Sequence, residues 1–286
     1  VARMVIILVL AALCAGTARA ADPKGKLFII GGGSRPQAMM QKFVDLALKA
    51  PGGKIVVFPQ ASAEADASGK GLAEELRKLG APDVRALNIT REEALKPASA
   101  GLLDGVGGIY FCGGDQSRLT AVLLDTPVHA RMKELYIGGA VIGGTSAGAA
   151  VMSEVMITGD EKKKPKSGDE WQTIEADNVV TVRGFGFLTK AIVDQHFATR
   201  RRHNRLISLV LERPGLVGFG IDESTAEVVT GGTTIEVVGE KNIVVYDATI
   251  AKVARNGASI GGTGLAFHVL LPGDKYDLVR RAVIPR

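Results

Sequence analysis

Cysteine is nearly absent from this chain: Cys14 and Cys112 are the whole supply. Once an N-terminal segment carrying Cys14 is removed, as argued below, no intramolecular disulfide can form, and a disulfide-stapled scaffold is excluded. Histidine is also sparse, at four residues. Neither His nor Cys clusters at zinc-ligand spacing, which argues against a structural metal. Charge of one sign is not in excess. The net charge of +5 falls by two when Arg3 and Arg19 leave with the N-terminal segment, and so mild a balance does not imply nucleic acid or an acidic membrane surface. No long stretch is polar enough to be disordered, and no internal repeat or long linker divides the chain.

What is present begins with an export signal. Arg3 supplies a positive start, Met4 to Leu13 are all apolar, and Ala18-Arg19-Ala20 fits a small-residue cleavage site. The apolar run is too short to cross a bilayer core of roughly 30 Å as a helix. A lipid anchor at Cys14 is disfavoured by the bulk of Leu13. The expectation is a secreted protein, periplasmic or extracellular, cleaved near Ala20, with residues 21–286 forming one domain and no membrane partner.

Alternating strands and helices follow. Lys26 to Ile30 reads as a strand, Pro36 to Lys49 as a helix with Met39, Met40, Phe43, Leu46 and Ala47 on one stripe, and Lys54 to Phe58 as the next strand. Residues 66–79 read as helix, 83–89 and 108–111 as strands, 115–124 and 127–135 as helices, and Ala140 to Gly143 as a buried strand. This rhythm predicts an α/β fold with a doubly wound, mainly parallel sheet. Residues 159–170 read as a solvated loop. Beyond residue 224, Thr225 to Val229, Thr234 to Val238 and Ile243 to Asp247 alternate in period two, an antiparallel β extension at one sheet edge.

The strand ending at Gly143 runs into Gly144-Thr145-Ser146-Ala147-Gly148. A serine hydroxyl is a weak nucleophile until a base takes its proton and donors receive the oxyanion. A Gly-x-Ser-x-Gly turn between strand and helix meets the geometric half of that need: small neighbours permit a sharp turn, and the Ala147 N–H lies at a helix start. The alternative is a plain strand-to-helix turn.

A base and an orienting acid must come from elsewhere. His129 and His268 sit in structural contexts, in a helix and late in an apolar strand. His196 follows the short buried strand Ala191 to Gln195, and in an open α/β sheet sites assemble at such strand ends. The strand Val217 to Ile221 is followed by Asp222 and Glu223, and either acid could orient the imidazole. The order Ser, His, acid is not the Ser, Asp, His order of α/β-hydrolases, so the elbow resembles theirs while the fold does not.

Four segments, Phe111-Cys112-Gly113-Gly114-Asp115-Gln116, Gly143-Gly144-Thr145-Ser146-Ala147-Gly148-Ala149, Asp194-Gln195-His196-Phe197 and Gly220-Ile221-Asp222-Glu223, resemble the signature segments of the cyanophycinase family. That family groups with aspartyl dipeptidases among serine peptidases built on a class I glutamine-amidotransferase-like (flavodoxin-like) fold. The resemblance runs in order from about Lys26 to beyond residue 230. It implies Ser146 as nucleophile, His196 as base and Glu223, rather than Asp222, as acid. It also implies Gln116, Asp194, Gln195, Arg200, Arg202 and Arg205 as substrate-pocket residues, a homodimer, and no cofactor. The implied substrate is cyanophycin, a poly-aspartate backbone with arginine on each side-chain carboxyl, cleaved to β-aspartyl-arginine dipeptides. The oxyanion would meet N–H groups of Ala147 and the Gly113-Gly114 turn.

The run from Arg200 to Arg205 is the strongest charge cluster in the chain. Arginine forks bind carboxylates in bidentate fashion, which suits a substrate made of aspartates; no interleaved aromatics support nucleic-acid stacking. The bland reading is a solvated helix face. A related aspartyl dipeptidase remains the alternative enzyme. A nucleotide-binding module, suggested by Gly31-Gly32-Gly33, lacks the required glycine spacing, and filled triad positions oppose a dead binding protein.

Overall fold

The structure, a computed structural model, describes residues 22–163 and 171–286. The expected signal segment, residues 1–20, lies outside them, as does most of the loop expected over 159–170. Strand β1 (Lys26–Ile30) leads into α1 (Gln37–Lys49), β2 (Lys54–Phe58) into α2 (Ala65–Lys78), and β3 (Val84–Ala86) into the single turn α3 (Arg91–Ala94). Strand β4 (Val106–Phe111) is followed by α4 (Gln116–Leu123) and α5 (Pro127–Gly138), and β5 (Val141–Thr145) by the short α6 (Ala147–Ala150). Then come β6 (Val155–Glu161), which takes in part of the expected loop, β7 (Val179–Arg183), β8 (Ala191–Gln195), α7 (His203–Glu212) and β9 (Val217–Ile221). The chain ends in strands: β10 (Thr225–Thr230), β11 (Thr234–Gly239), β12 (Ile243–Asp247), β13 (Lys252–Asn256), β14 (Ser259–Thr263), β15 (Ala266–Leu270), β16 (Lys275–Asp277) and β17 (Ala282–Ile284).

The main sheet has the order β17-β16-β11-β10-β1-β5-β4-β2-β3. Its β1, β5, β4, β2 and β3 pair in parallel, and β10, β11, β16 and β17 add antiparallel strands beyond β1. Successive strand side chains point to opposite faces, and both faces are buried. Phe28 and Ile30 pack under α1 and α2, with Met40, Phe43, Ala47, Leu72 and Leu76. Leu27 and Ile29 pack on the other face, with Leu119, Leu123, Val128, Met132 and Ala147 from α4, α5 and α6. Burying each of the larger of these side chains is worth about 1.5–3 kcal/mol, so helices on both faces follow from the apolar strands. Local signals end the helices as well. Thr126 accepts from the His129 N–H at 3.2 Å to cap α5, Pro127 fills its first position, and Gly139 at φ 124° closes it.

One expectation is corrected. β10 and β11 extend the sheet edge, but β12 does not continue their meander. It pairs with β9 and β15 in a separate four-stranded sheet ordered β15-β12-β9-β8, in which β8 and β9 are parallel. Period-two alternation identifies a strand but says nothing about its partner. Helix α7 covers the outer face of this second sheet, where Leu206, Leu209 and Val210 meet Ile192, Val244 and Tyr246. The carboxyl ends of β1, β5, β8 and β9 therefore converge: Ser146 N–H donates to Ile30 O at 3.0 Å, and His196 N–H to Gly31 O at 2.7 Å.

Candidate active site

Ser146 stands between β5 and α6 with φ 54° and ψ −111°, outside the favoured regions for a residue with a side chain. Such an elbow throws the hydroxyl off the sheet edge. The neighbours make it possible. A β-carbon on Gly144 would lie 2.3 Å from Gly148 O, and one on Gly148 would lie 2.2 Å from Phe111 O, so the strand and short helix pack backbone to backbone. Gly113 lies against the serine, with a β-carbon there falling 3.4 Å from Ser146 Cβ. Gly114, at φ 137°, presses so closely on Ala61 O that a β-carbon would lie 2.0 Å away. Ala147 and the Gly113-Gly114 turn thus flank the serine.

The imidazole of His196 reaches both partners. Its Nε2 is 2.8 Å from Ser146 Oγ, and its Nδ1 is 2.6 Å from Glu223 Oε1. With Nδ1–H donating to the carboxylate, Nε2 is left to accept the serine proton. Burial pushes the His196 pKa below its ordinary value, the Glu223 hydrogen bond opposes that, and Arg200 and Arg202 add to the lowering. The ring is therefore neutral near pH 7, as a base must be. The other histidines are engaged elsewhere. His129 Nε2–H donates to Phe185 O at 3.0 Å, and burial lowers its pKa to about 4; His203 Nδ1 is paired with the Tyr246 hydroxyl at 2.9 Å; His268 packs on Tyr276.

The triple glycine after β1 is what lets these groups meet. A β-carbon on Gly32 would lie 2.3 Å from His196 Cε1, and one on Gly33 2.7 Å from Glu223 Cβ. Gly31, Gly32 and Gly33 are fitted to the imidazole, the acid and the end of β9, a role that sequence reasoning missed. Three glycines directly after a strand were the available signal, because close backbone approach is one reason for such a run.

Asp222, which spacing alone left as an alternative acid, is bonded away from the imidazole. Its Oδ1 accepts from Thr199 N–H at 3.0 Å and from the Thr199 hydroxyl at 2.8 Å, and Lys241 Nζ lies 3.3 Å from its Oδ2.

The six residues expected around the substrate are placed unequally. Asp194 is fully buried and receives Arg205 in bidentate fashion, Nε donating to Oδ2 at 2.7 Å and Nη2 to Oδ1. Arg205 is only 1% exposed and lies over the Trp171 ring at 5.1 Å, so it is no surface arginine. Its stripe on α7, shared with Ser208 and Leu209, is the signal that would have shown this. Arg202 Nη1 donates to the Gln195 side-chain oxygen at 2.8 Å, and both residues are buried. Gln116 is buried at the start of α4, its amide donating to Ile157 O at 2.9 Å and to Thr158 O. Arg200 is exposed, on the turn after His196. Among the described residues no three His, Cys, Asp or Glu side chains gather as metal ligands would.

Comparison with known proteins sets this geometry in a family. The family model of Peptidase family S51 matches residues 27–237. The chain is 34% identical over 239 residues to a cyanophycinase of Trichormus variabilis, covering 81% of this chain and 77% of that protein. It is 33% identical over 265 residues to a cyanophycinase of Synechococcus elongatus, covering 89% and 80%. In fold it is similar to the crystal structure of a peptidase from an acI-B1 Actinobacterium, with a TM-score of 0.65 and 22% identity over 90% of this chain and 98% of that one.

Proposed function

The chain belongs to peptidase family S51 and is a serine-type peptidase, and on that premise we propose that it is a secreted cyanophycinase using Ser146, His196 and Glu223. The observation that carries this reading is the unbroken hydrogen-bond chain of 2.8 and 2.6 Å through the imidazole. In the proposed reaction His196 Nε2 takes the Ser146 proton as Oγ attacks the carbonyl carbon of an aspartyl bond. Glu223 holds Nδ1–H and stabilises the imidazolium that forms. The tetrahedral oxyanion meets N–H groups of Ala147 and the Gly113-Gly114 turn. Collapse transfers the proton to the leaving amine and leaves an acyl-enzyme on Ser146; water, deprotonated by the same imidazole, then releases it.

The substrate assignment rests on the curated relatives and on the charges near the base. Exposed Arg200 meets carboxylates of the incoming chain, with Gln116, Gln195 and Arg202 as further substrate-binding residues. The buried Asp194–Arg205 pair lies against Arg202, whose Nη1 is 3.8 Å from Asp194 Oδ1. The protein acts as a homodimer, needs no cofactor, and is exported before it works. An aspartyl dipeptidase activity is the alternative reading. The deciding experiment is release of β-aspartyl-arginine from cyanophycin by purified protein, run beside Ser146→Ala and a set of α-aspartyl dipeptides. Ser146→Ala is expected to lose several orders of magnitude in rate while remaining folded. Undiminished turnover by that variant refutes the triad, and turnover of dipeptides alone replaces the substrate.

A further inference from the structure

The two turns that carry the base and the acid come from different strands, and little backbone joins them. β8 and β9 pair in parallel only as far as Gln195 opposite Ile221. Beyond that register the chains part. His196 N–H donates to Gly31 O at 2.7 Å, whereas Asp222 N–H donates to Asn242 O at 3.3 Å; Phe197 N–H still reaches back to Ile221 O at 3.2 Å. Glu223 has a side chain 26% exposed, so packing alone does not hold its carboxylate 2.6 Å from Nδ1.

The Asp222 side chain spans this gap. It is 4% exposed, one residue before the acid, and its Oδ1 gathers both the N–H and the hydroxyl of Thr199, three residues after the base. Lys241, from the connection between β11 and β12, closes the set. Its Nζ lies 3.3 Å from Asp222 Oδ2 and donates to Thr199 Oγ1 at 3.4 Å. Burial pushes the Asp222 carboxyl up, but the Thr199 bonds, the Glu223 N–H and Lys241 outweigh it and hold the group below its ordinary value, so it is ionised near neutral pH. Hydrogen bonds to an ionised acceptor are roughly twice as strong as neutral ones. A joint of this kind fixes the relative position of two turns, and an active-site group displaced by about 1 Å loses on the order of a hundred-fold in rate.

We infer that Asp222 is a positioning residue of the peptidase reaction: with Thr199 and Lys241 it clamps the base-bearing turn to the acid-bearing turn and so sets the His196–Glu223 hydrogen bond. The inference rests on the Ser146–His196–Glu223 reading given above. The test measures kcat and KM for cyanophycin hydrolysis, thermal melting, and the low-field proton resonance of His196 Nδ1–H. The proteins are wild type, Ser146→Ala, Asp222→Ala, Asp222→Asn and Thr199→Val. Asp222→Ala is expected to lose about ten- to a hundred-fold in kcat, to keep KM within about two-fold, and to lose or shift the low-field resonance. Asp222→Asn keeps an oxygen for Thr199 and recovers most of the rate. Thr199→Val keeps the backbone bond and loses less, and it carries the test if Asp222→Ala does not fold. A melting temperature that falls while kcat and the resonance stay put overturns the clamp, as does a rise in KM alone. Those results leave the triad intact so long as Ser146→Ala is inactive; turnover by Ser146→Ala removes the triad and the clamp together, and a wild type that turns over only α-aspartyl dipeptides has the same comparison made on those substrates.

Discussion

Gly32 and His196 touch so closely that a single added methyl would occupy the space of the imidazole: a β-carbon on Gly32 would lie 2.4 Å from Nε2, the atom facing Ser146. The backbone there has φ 110°, which L side chains rarely adopt. Gly32→Ala should displace the ring from the serine and lower kcat by about a hundred-fold or more, with the far-UV spectrum unchanged. Gly71→Ala is the control. Gly71 is inside α2, and a β-carbon added there would meet nothing within 4 Å, so that change should stabilise the fold by roughly 0.5–1 kcal/mol without altering the rate. Equal activity in the two variants would contradict the fit of Gly32 to the imidazole.

The pH profile follows from the direction of the His196 shift. In the proposed reaction His196 works only when neutral, so activity should be lost as pH falls through its pKa. Burial sets that pKa below the ordinary value, so the acid limb of kcat/KM should have its midpoint below about 6.5. Arg200 contributes to the lowering, and Arg200→Ala should move the midpoint upward. Arg200 is exposed, so added salt should shrink the difference. A wild-type midpoint above about 6.5, measured by steady-state rates across the acid and neutral range, would show that another group carries the limb.

Much of the fold is legible in the sequence. β1, β2, β8 and β9 have the bounds expected from their mainly apolar runs, and β12 those expected from its period-two alternation. The partner of β12 is not legible, since the short connection Glu240-Lys241-Asn242 after Gly239 looks the same whether it makes a hairpin or crosses to another sheet. β13 was missed because all of Lys252 to Asn256 is exposed and shows no buried alternation. In the site, strand ends point to Ser146, His196 and the Asp222-Glu223 pair, and the choice of Glu223 comes from the family resemblance, whereas the pairing of Arg205 with Asp194 spans two elements. Charge reads directly from sequence; the company it keeps does not.

Arg205 and Arg200 should therefore fail in different ways when removed. Arg205→Ala leaves the Asp194 carboxylate buried with its bidentate partner gone, a change that costs about 3–5 kcal/mol in comparable buried pairs. Its main effect should be a large drop in melting temperature. Arg200→Ala removes an exposed cation; melting should barely change, and KM for cyanophycin should rise. Melting curves and KM for both variants check this. A stable Arg205→Ala protein with a raised KM would return Arg205 to the substrate surface.

Glu227 offers a separate test of the fold. It lies on β10, opposite Ile29 of β1 and Val237 of β11, with its side chain in the core. It is fully buried, and neither carboxyl oxygen has a hydrogen-bond partner among the described residues. Burial raises its pKa to about 8, far above the value of about 4.3 expected in an unfolded chain. The folded state therefore keeps a proton that the unfolded state releases. The stability associated with that proton is fully present below about pH 4 and declines as pH rises toward about 8. Above that point both states are ionised, and the loss levels off. Glu227→Gln removes the titration while keeping the shape. The variant should melt above wild type, by a margin that widens from about pH 5 to about pH 8 and then stays constant, reaching on the order of a few kcal/mol. The margin should be insensitive to salt, because the site is shielded from solvent ions. A margin that stays flat across that range would mean the carboxyl has found a partner that holds it ionised.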